Sequence, residues 1–323
     1  MDASDRPALY LTEQDVGELM DVESSIEVVE EVFRRLADDQ ATNVPRRRAM
    51  TQGICLHTMS AAAEYLGLVG WKAYTTTKDA ARFHVAVYDN SSGRMRALIE
   101  ADYLGQLRTG AATGVATDYM ARADSSVVGI LGSGKQARTQ LRAVCHVRKI
   151  SRVEVYSRTD ERRTDFAEEM AEYCATDIAP VRTPEQATAE KDIVICATSS
   201  KVPVFDGRAL DEGTHINAIG SNFLNKAEID LAAIRRADSI VCDSVEQCRL
   251  EAGDFVPAIE AGVTDWPLMH ELADVVTGRQ TGRATAEQVT LFKSVGLAIE
   301  DIAMAATIIE RAAEAGLGQP LPF

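Results

Sequence analysis

A short segment in the middle of the chain, residues 125–137, constrains the fold more than any other feature. It reads SSVVGILGSGKQA, an apolar run that predicts a β-strand, followed by a glycine turn and a helix start. A strand, turn and helix in this order direct backbone N–H groups toward the pyrophosphate of a dinucleotide. The segment begins at residue 125 of 323, so we expect another domain to precede the dinucleotide-binding unit.

The small residues of this segment agree with that interpretation. Gly132 permits the tight turn, Gly134 lets the backbone approach the phosphates, and Ala137 permits close packing of the helix on the strand. Strands are predicted at 127–131, 153–157, 193–198, 215–219 and 239–242, and helices at about 135–148, 160–172, 184–190 and 228–236. This alternation is typical of a doubly wound parallel sheet.

The sequence on either side has a different pattern. Runs rich in β-forming residues at 53–59, 68–75 and 82–89 indicate antiparallel strands, and 104–121 reads as a helix. After about residue 285, apolar residues at helical spacing predict a long helix; they are Val289, Phe292, Ile299, Ile302, Ala306 and Ile309. The fold class is therefore α/β, a Rossmann-type doubly wound sheet with an α+β region outside it.

The charge balance and the cysteines exclude several classes of function. A formal net charge of −15 argues against binding to nucleic acid or to anionic membranes. The six cysteines form no C-x-x-C pair and the five histidines are scattered, so no metal site is expected. The N-terminal residues lack the apolar stretch of a secretion signal, and no run of about 18 apolar residues occurs. We expect a cytoplasmic protein with reduced thiols.

The end of the second predicted strand indicates which dinucleotide is bound. Folds that select NAD usually place Asp or Glu there, to hold the ribose 2′-hydroxyl. This chain has Ser157, Arg158 and Thr159 instead. Ser and Thr can hydrogen-bond a 2′-phosphate and Arg can pair with it, so the sequence favours NADP(H) over NAD(H).

Basic residues before the glycine turn are the candidates for binding a small anionic substrate. Arg46, Arg47 and Arg48 form a short run, and Lys72 lies in a strand-like segment where an unpaired lysine would be costly to bury. Arg108 lies among small residues that permit close approach of another backbone. Such cations can clamp a carboxylate. Taken alone, each of them fits a solvated surface charge better than a binding residue, and their spacing does not change that balance.

These residues belong to a larger set of motifs that covers the chain from about residue 10 to 320. The set is Pro45-x-Arg47, Met59, Gly-x-Lys72, Gly-Gln-Leu-Arg108-Thr109-Gly-Ala-Ala, Gly132-x-Gly134-x-Gln136-Ala137, Glu251-Ala-Gly-Asp254 and Phe292-Lys-Ser294-Val-Gly-x-Ala-Ile-Glu-Asp301. With it, the chain resembles the ornithine cyclodeaminase/μ-crystallin family. The resemblance implies a Rossmann domain at 121–289 and a second domain, at 1–120 and 290–323, that binds substrate and forms a homodimer.

The resemblance also implies roles for single residues. Arg47 and Lys72 match positions that hold the substrate carboxylate, and Val295 matches one beside the substrate. The glycine turn, with its Gln136, matches residues that contact the cofactor. Five further positions match cofactor-contacting residues; they are Arg108, Thr109, Thr198, Lys226 and Ser294.

Two departures from the family pattern bear on the reaction. Where cyclodeaminases carry an aspartate after the fifth strand, this chain has Asn222, and an amide cannot act as a general base near neutral pH. A second family carboxylate is replaced by His57, which can exchange protons near neutral pH.

We therefore expect an NADP(H)-dependent oxidoreductase of the C–N bond. It would reduce an α-imino acid or cyclic ketimine carboxylate, or oxidise the amino acid, with His57 or Lys72 as the acid and Asn222 hydrogen-bonded to the substrate nitrogen. The alternatives are an ornithine cyclodeaminase that recycles NAD and a non-enzymatic NADPH-dependent binding protein like μ-crystallin.

Overall fold

The computed structural model describes residues 7–322. Residues 1–6 and residue 323, which the sequence assigns to the second domain, lie outside the described residues. The chain divides into two compact units. One contains the chain up to Arg108 and again from Leu297, and the other is Thr109–Gly296.

The first unit is built from one antiparallel-rich sheet and the helices that cover it. Its elements are β1 (Leu9–Leu11), α1 (Glu13–Leu19), α2 (Val22–Ala37), β2 (Ala41–Met50), β3 (Cys55–Ala63), β4 (Leu68–Thr76), β5 (Ala81–Asp89), β6 (Met95–Glu100) and the start of α3 (Asp102–Met120), with α10 (Ala298–Ala315) and β15 (Gln319–Pro320) from later in the chain. The strand order is β15-β1-β6-β5-β4-β3-β2. All pairs are antiparallel except β1 with β6.

The two faces of this sheet differ because side chains alternate along each strand. On β3, His57, Met59 and Ala61 are buried, whereas Leu56 and Thr58 are exposed. The face that carries His57 and Met59, which we call the inner face, packs against α10.

Close packing on the inner face depends on one glycine. Gly70 of β4 pairs with Ala61 and lies beneath α10. A Cβ at Gly70 would lie 2.4 Å from the carbonyl oxygen of Ala86 and 2.6 Å from Cδ1 of Ile302.

The second unit is a parallel sheet with helices. Its elements are β7 (Val127–Leu131), α4 (Lys135–Val147), β8 (Arg152–Tyr156), α5 (Asp160–Cys174), β9 (Asp177–Pro180), β10 (Ile193–Cys196), β11 (His215–Ala218), α6 (Leu231–Arg236), β12 (Ser239–Cys242), α7 (Val245–Glu251), α8 (Val256–Glu260), β13 (His270–Glu271), α9 (Leu272–Val276) and β14 (Thr290–Lys293). The strand order is β13-β12-β14-β11-β10-β7-β8-β9, and every pair is parallel.

The predicted fold class is confirmed, with a doubly wound parallel sheet in the second unit. The five predicted strands of this sheet are present as β7, β8, β10, β11 and β12. The predicted helix at 184–190 is a single 3₁₀ turn, Glu185–Ala187.

The prediction of one long helix after residue 285 is wrong at its start. Val289 directly precedes β14 and Phe292 lies in it, and the helix α10 begins only at Ala298. Two apolar residues three apart fit the helical period, and a parallel strand that is buried on both faces shows no two-residue alternation that would reveal it as a strand. Among the helices between residues 7 and 322, none combines the length and apolarity needed to cross a bilayer.

Candidate functional site

A buried ion pair occupies the inner face of the first unit. Lys72 lies in the middle of β4, is only 2% exposed, and donates from Nζ to Oδ1 of Asp301 at 2.6 Å. Asp301 belongs to the first turn of α10 and is itself fully buried. Burial lowers the pKa of Lys72 to about 8, against the opposing attraction of Asp301. The ammonium form of Lys72 therefore predominates at neutral pH but is lost just above it.

A second cation belongs to the same cluster. Arg108 of α3 donates from Nη1 to Oε2 of Glu300 at 3.0 Å, and its Nε lies 3.3 Å from Oδ1 of Asp301. Two cations are thus compensated by two adjacent carboxylates of α10, which makes their burial tolerable. A Cβ at Gly105 of α3 would lie 2.8 Å from the Lys72 Nζ, so the glycine leaves room for the ammonium. Both Glu300 and Asp301 belong to the motif that ends at Asp301, but the sequence alone indicated no role for them.

The structure places Arg46, and not Arg47, on the inner face with Lys72. The pairing of β2 with β3 is irregular between Val44 and Arg47, after which Arg47 lies opposite the exposed Thr58. Arg47 is itself exposed and lies on the outer face. Arg46 is 5% exposed, and its guanidinium carbon lies 6.0 Å from the centre of the Tyr74 ring.

His57 lies on the inner face beside these cations. Its ring stacks on Tyr74 with centroids 4.1 Å apart. Arg48 Nε donates to Nδ1 at 3.2 Å, so Nε2 carries the ring proton and donates to Oγ1 of Thr76 at 3.0 Å. Burial, and then the charges of Arg48 and Arg46, lower the pKa of His57 to about 4. His57 is therefore a neutral imidazole at neutral pH.

The glycine turn of the second unit joins β7 to α4. Gly132 has a φ of +113°, and a Cβ there would lie 2.3 Å from the carbonyl oxygen of Ala197. Gly134 is the N-cap of α4; it makes no side-chain cap hydrogen bond, and a Cβ there would meet no atom within 4 Å. The space beside Gly134 is therefore open at the N-terminus of α4, where helices bind anions.

Gln136 and Ala137 lie in the first turn of α4, and Gln136 is half-buried. Ala137 is buried against the sheet, and the Oε1 of Gln136 is buried without a hydrogen-bond partner among residues 7–322. Such an oxygen can accept from a bound polar group.

The predicted selector of the dinucleotide follows β8. Ser157 is partly buried, and its carbonyl oxygen accepts from Nη1 of Arg163 at 3.0 Å. Arg158 and Thr159 are exposed, and Thr159 is the N-cap of α5. The two exposed side chains are accessible to a ligand at this strand end.

The other predicted cofactor residues of the second unit follow β10, β11 and β14. Thr198 Oγ1 accepts from the Ser200 N–H at 3.1 Å. Asn222 and Lys226 lie in the loop after β11, where the Lys226 ammonium lies 4.8 Å from the centre of the Phe223 ring. Thr109 is buried in α3.

A buried aspartate that the sequence did not single out holds the loop after β14. Oδ2 of Asp243 accepts from the Ser294 hydroxyl at 2.8 Å, from the Val295 N–H at 2.8 Å and from the Gly296 N–H at 2.7 Å. Burial raises the pKa of Asp243, against these hydrogen bonds. Its only signal in the sequence is an acidic residue directly after a buried strand, where such residues often serve function.

Within the described part of the chain, no group of three His, Cys, Asp or Glu residues is placed to hold a metal ion. The structure thus separates the predicted residues into two sets. The first unit brings together Lys72, Arg108 and His57, and adds Arg46. The second unit places the glycine turn and its other predicted residues at the carboxyl ends of parallel strands, apart from Thr109 in α3. Arg47, on the outer face of the first unit, belongs to neither set.

The parallel sheet with its glycine turn defines a Rossmann-fold protein. The profile of the Ornithine cyclodeaminase/mu-crystallin family matches residues 7–316, and the protein belongs to this family. A Delta(1)-pyrroline-2-carboxylate reductase of Bacillus cereus is 37% identical to it over 240 residues, 74% of each chain.

Solved structures agree with this assignment. The Delta(1)-pyrroline-2-carboxylate reductase of Thermococcus litoralis, in complex with NADH and L-proline, superposes with a TM-score of 0.93. It is 35% identical, and the alignment covers 97% of this chain and 100% of that one. An archaeal alanine dehydrogenase dimer with bound NAD gives a TM-score of 0.92 at 31% identity, covering 98% of this chain and 99% of that one.

Proposed function

We propose that this protein is an NAD(P)(H)-dependent oxidoreductase of the C–N bond. It reduces an α-imino acid or cyclic ketimine carboxylate to the amino acid, or catalyses the reverse oxidation. The buried Lys72 beside Arg46 carries the proposal, because it pairs a proton donor of pKa about 8 with a cation for a carboxylate. The relatives named above are two Delta(1)-pyrroline-2-carboxylate reductases and one alanine dehydrogenase.

The second unit fits the cofactor. The open space at Gly134 and the uncapped N-terminus of α4 suit a pyrophosphate. Ser157, Arg158 and Thr159 suit a 2′-phosphate, and no acidic side chain stands among them. We therefore propose NADP(H) over NAD(H). When bound, this cofactor supplies or accepts a hydride.

In the first unit, Arg46 would bind the substrate carboxylate and orient it. The Lys72 ammonium would hold a proton on Nζ and transfer it to the imine nitrogen, because a protonated imine is the better hydride acceptor. Asp301 holds the ammonium in place and favours its charged form. His57 is the weaker candidate for the acid, since its pKa is about 4 and both of its ring nitrogens are hydrogen-bonded.

Asn222 weighs against the cyclodeaminase alternative. Its amide can donate to a substrate nitrogen, as the sequence suggested, but it cannot accept a proton near neutral pH.

We also propose a homodimer located in the cytoplasm. The outer face of the first unit's sheet carries Val44, Leu56 and Val69, each at least 40% exposed, and a second copy of this face would cover them. The archaeal relative is a dimer. The six cysteines are all free thiols, the state that the cytoplasm maintains.

Oxidation of NADPH by a panel of ketimine carboxylates, followed at 340 nm, tests the proposed reaction. We expect turnover with at least one of them, and no release of ammonia from ornithine. Lys72→Met should abolish turnover and leave NADPH binding intact. Ammonia from ornithine without turnover of any imine would favour the cyclodeaminase. NADPH binding without either activity would favour a μ-crystallin-like binding protein.

A further inference from the structure

Three charged residues are linked in the core of the second unit, the third of them through its backbone N–H. Lys293, Asp254 and Glu228 are each at most 1% exposed. Lys293 of β14 donates from Nζ to the carbonyl oxygen of Ser221 at 2.8 Å, and its Nζ lies 2.8 Å from Oδ2 of Asp254. Oδ1 of Asp254 accepts from the Glu228 N–H at 2.6 Å. The proposed reaction uses none of the three.

The side-chain carboxylate of Glu228 accepts hydrogen bonds from two backbone N–H groups. Glu228 accepts from the Thr198 N–H through Oε1 at 2.6 Å and from the Gly220 N–H through Oε2 at 2.5 Å. Thr198 lies two residues beyond the end of β10 and Gly220 two residues beyond the end of β11, and these strands are neighbours in the sheet. One carboxylate therefore ties together the starts of two loops.

The contact between these loops leaves no room for adjustment. A Cβ at Gly220 would lie 2.2 Å from the Thr198 carbonyl oxygen and 2.6 Å from Oε1 of Glu228. The loops therefore approach each other as closely as the backbone allows, with the carboxylate between their N–H groups.

The charge states follow from the contacts. Burial raises the pKa of Glu228, whereas the Lys293 charge and the N–H groups that both of its oxygens accept favour the carboxylate. Burial opposes the charge of Lys293, yet Asp254 and Glu228 outweigh it and raise its pKa. An apolar core of equal volume would be about as stable or more so, so stability alone does not account for this chain of charges.

The position of these three charged residues in the sheet indicates which ligand they support. Ligands of doubly wound sheets bind outside the carboxyl ends of the strands, where the strand order reverses. Here β7, with the glycine turn, lies between β8 and β10. The proposed 2′-phosphate residues follow β8 on one side, and the loops held by Glu228 follow β10 and β11 on the other.

We infer that Glu228, held by Asp254 and Lys293, is a positioning residue that fixes the loops after β10 and β11 for the nicotinamide half of the dinucleotide. The inference rests on the proposed function. It assigns the adenine half to the glycine turn and the end of β8, which Glu228 does not contact.

The test compares two ligands on the full-length protein. Glu228→Gln keeps the size of the side chain but sets an amide NH₂ against one backbone N–H. We expect its Kd for NADPH, from nicotinamide fluorescence, to rise at least tenfold. Its Kd for 2′,5′-ADP, from calorimetry, should stay within twofold of wild type. Glu154→Gln is the matched control: it removes another buried carboxylate, paired with Lys191 and away from these loops, and should change neither constant.

Asp254→Asn is the second variant for this test, to be used if Glu228→Gln does not fold. This variant keeps the Oδ1 acceptor and loses the charge that faces Lys293. We expect its Kd for NADPH to rise, by less than in Glu228→Gln, and its Kd for 2′,5′-ADP to stay unchanged. An equal loss of both ligands, or unchanged NADPH binding, would overturn the inference. Wild-type protein that bound neither ligand would overturn the proposed function and this inference with it.

Discussion

Arg46 and Arg47 are adjacent in the sequence, but their side chains lie on opposite faces of one sheet. The irregular pairing of β2 before Arg47 decides which of them joins Lys72. If Arg46 binds the carboxylate, Arg46→Met should raise KM for the substrate by about 10- to 100-fold, since a hydrogen bond to a charged group contributes about 1.5–3 kcal/mol. Arg47→Met should change KM less than about twofold. Steady-state kinetics on the two variants checks this, and the reverse ranking would return the role to Arg47.

The pKa of Lys72 predicts how the reaction depends on pH. The ammonium is present below about pH 8 and is lost as pH rises through that value. We expect kcat for imine reduction to be level at lower pH and to fall about tenfold per pH unit above 8. A profile of kcat from pH 6 to 10, with substrate and cofactor saturating, measures it. A fall centred near pH 4 to 6 instead would point to His57.

The candidate site was predictable in part, and the limit is physical. Lys72 and Arg108 stand out because cations in apolar or small-residue segments need a partner. Their partners Glu300 and Asp301 are about 190 to 230 positions away in the chain, and no local pattern connects them. The face of Arg46 depends on a bulge, and one extra residue in a strand reverses every later side chain.

At the scale of elements, five of the eight strands of the parallel sheet were predictable because each is a short apolar run between turns. β9 and β13 were missed, since β9 is a partly exposed four-residue strand and β13 only two residues long. β14 was mistaken for helix because its four residues are all buried and carry no period-two pattern.

The close packing of α10 over Gly70 predicts that an added methyl group changes stability in opposite directions at Gly70 and at the unpacked Gly17. Gly70→Ala should lower the free energy of unfolding by about 1–3 kcal/mol, because the added Cβ meets Ala86 and Ile302. Gly17→Ala, within α1, meets no atom within 4 Å and should raise it by about 0.5–1 kcal/mol. Urea denaturation measures both. Equal effects at the two positions would contradict the close packing at Gly70.

At the scale of the whole molecule, the outer face of the first unit predicts the oligomeric state. If two copies cover this face, Leu56→Glu combined with Val69→Glu should halve the mass measured by light scattering, because each charge would be buried without a partner. Leu268→Glu is the control. Leu268 is 64% exposed but belongs to the second unit, and its substitution should leave the mass unchanged. A monomeric wild type would contradict the proposed dimer.

The place of β14 in the second sheet determines when the molecule can be completed during synthesis. β14 lies between β11 and β12, so the two halves of that sheet join only after residues 290–293 have been made. α10 and β15, which complete the first unit, follow still later. A growing chain therefore leaves the ribosome with the second sheet in two halves and with the inner face of the first sheet not yet covered by α10, and we expect a chain that stops before residue 290 to be a target for chaperones and proteases.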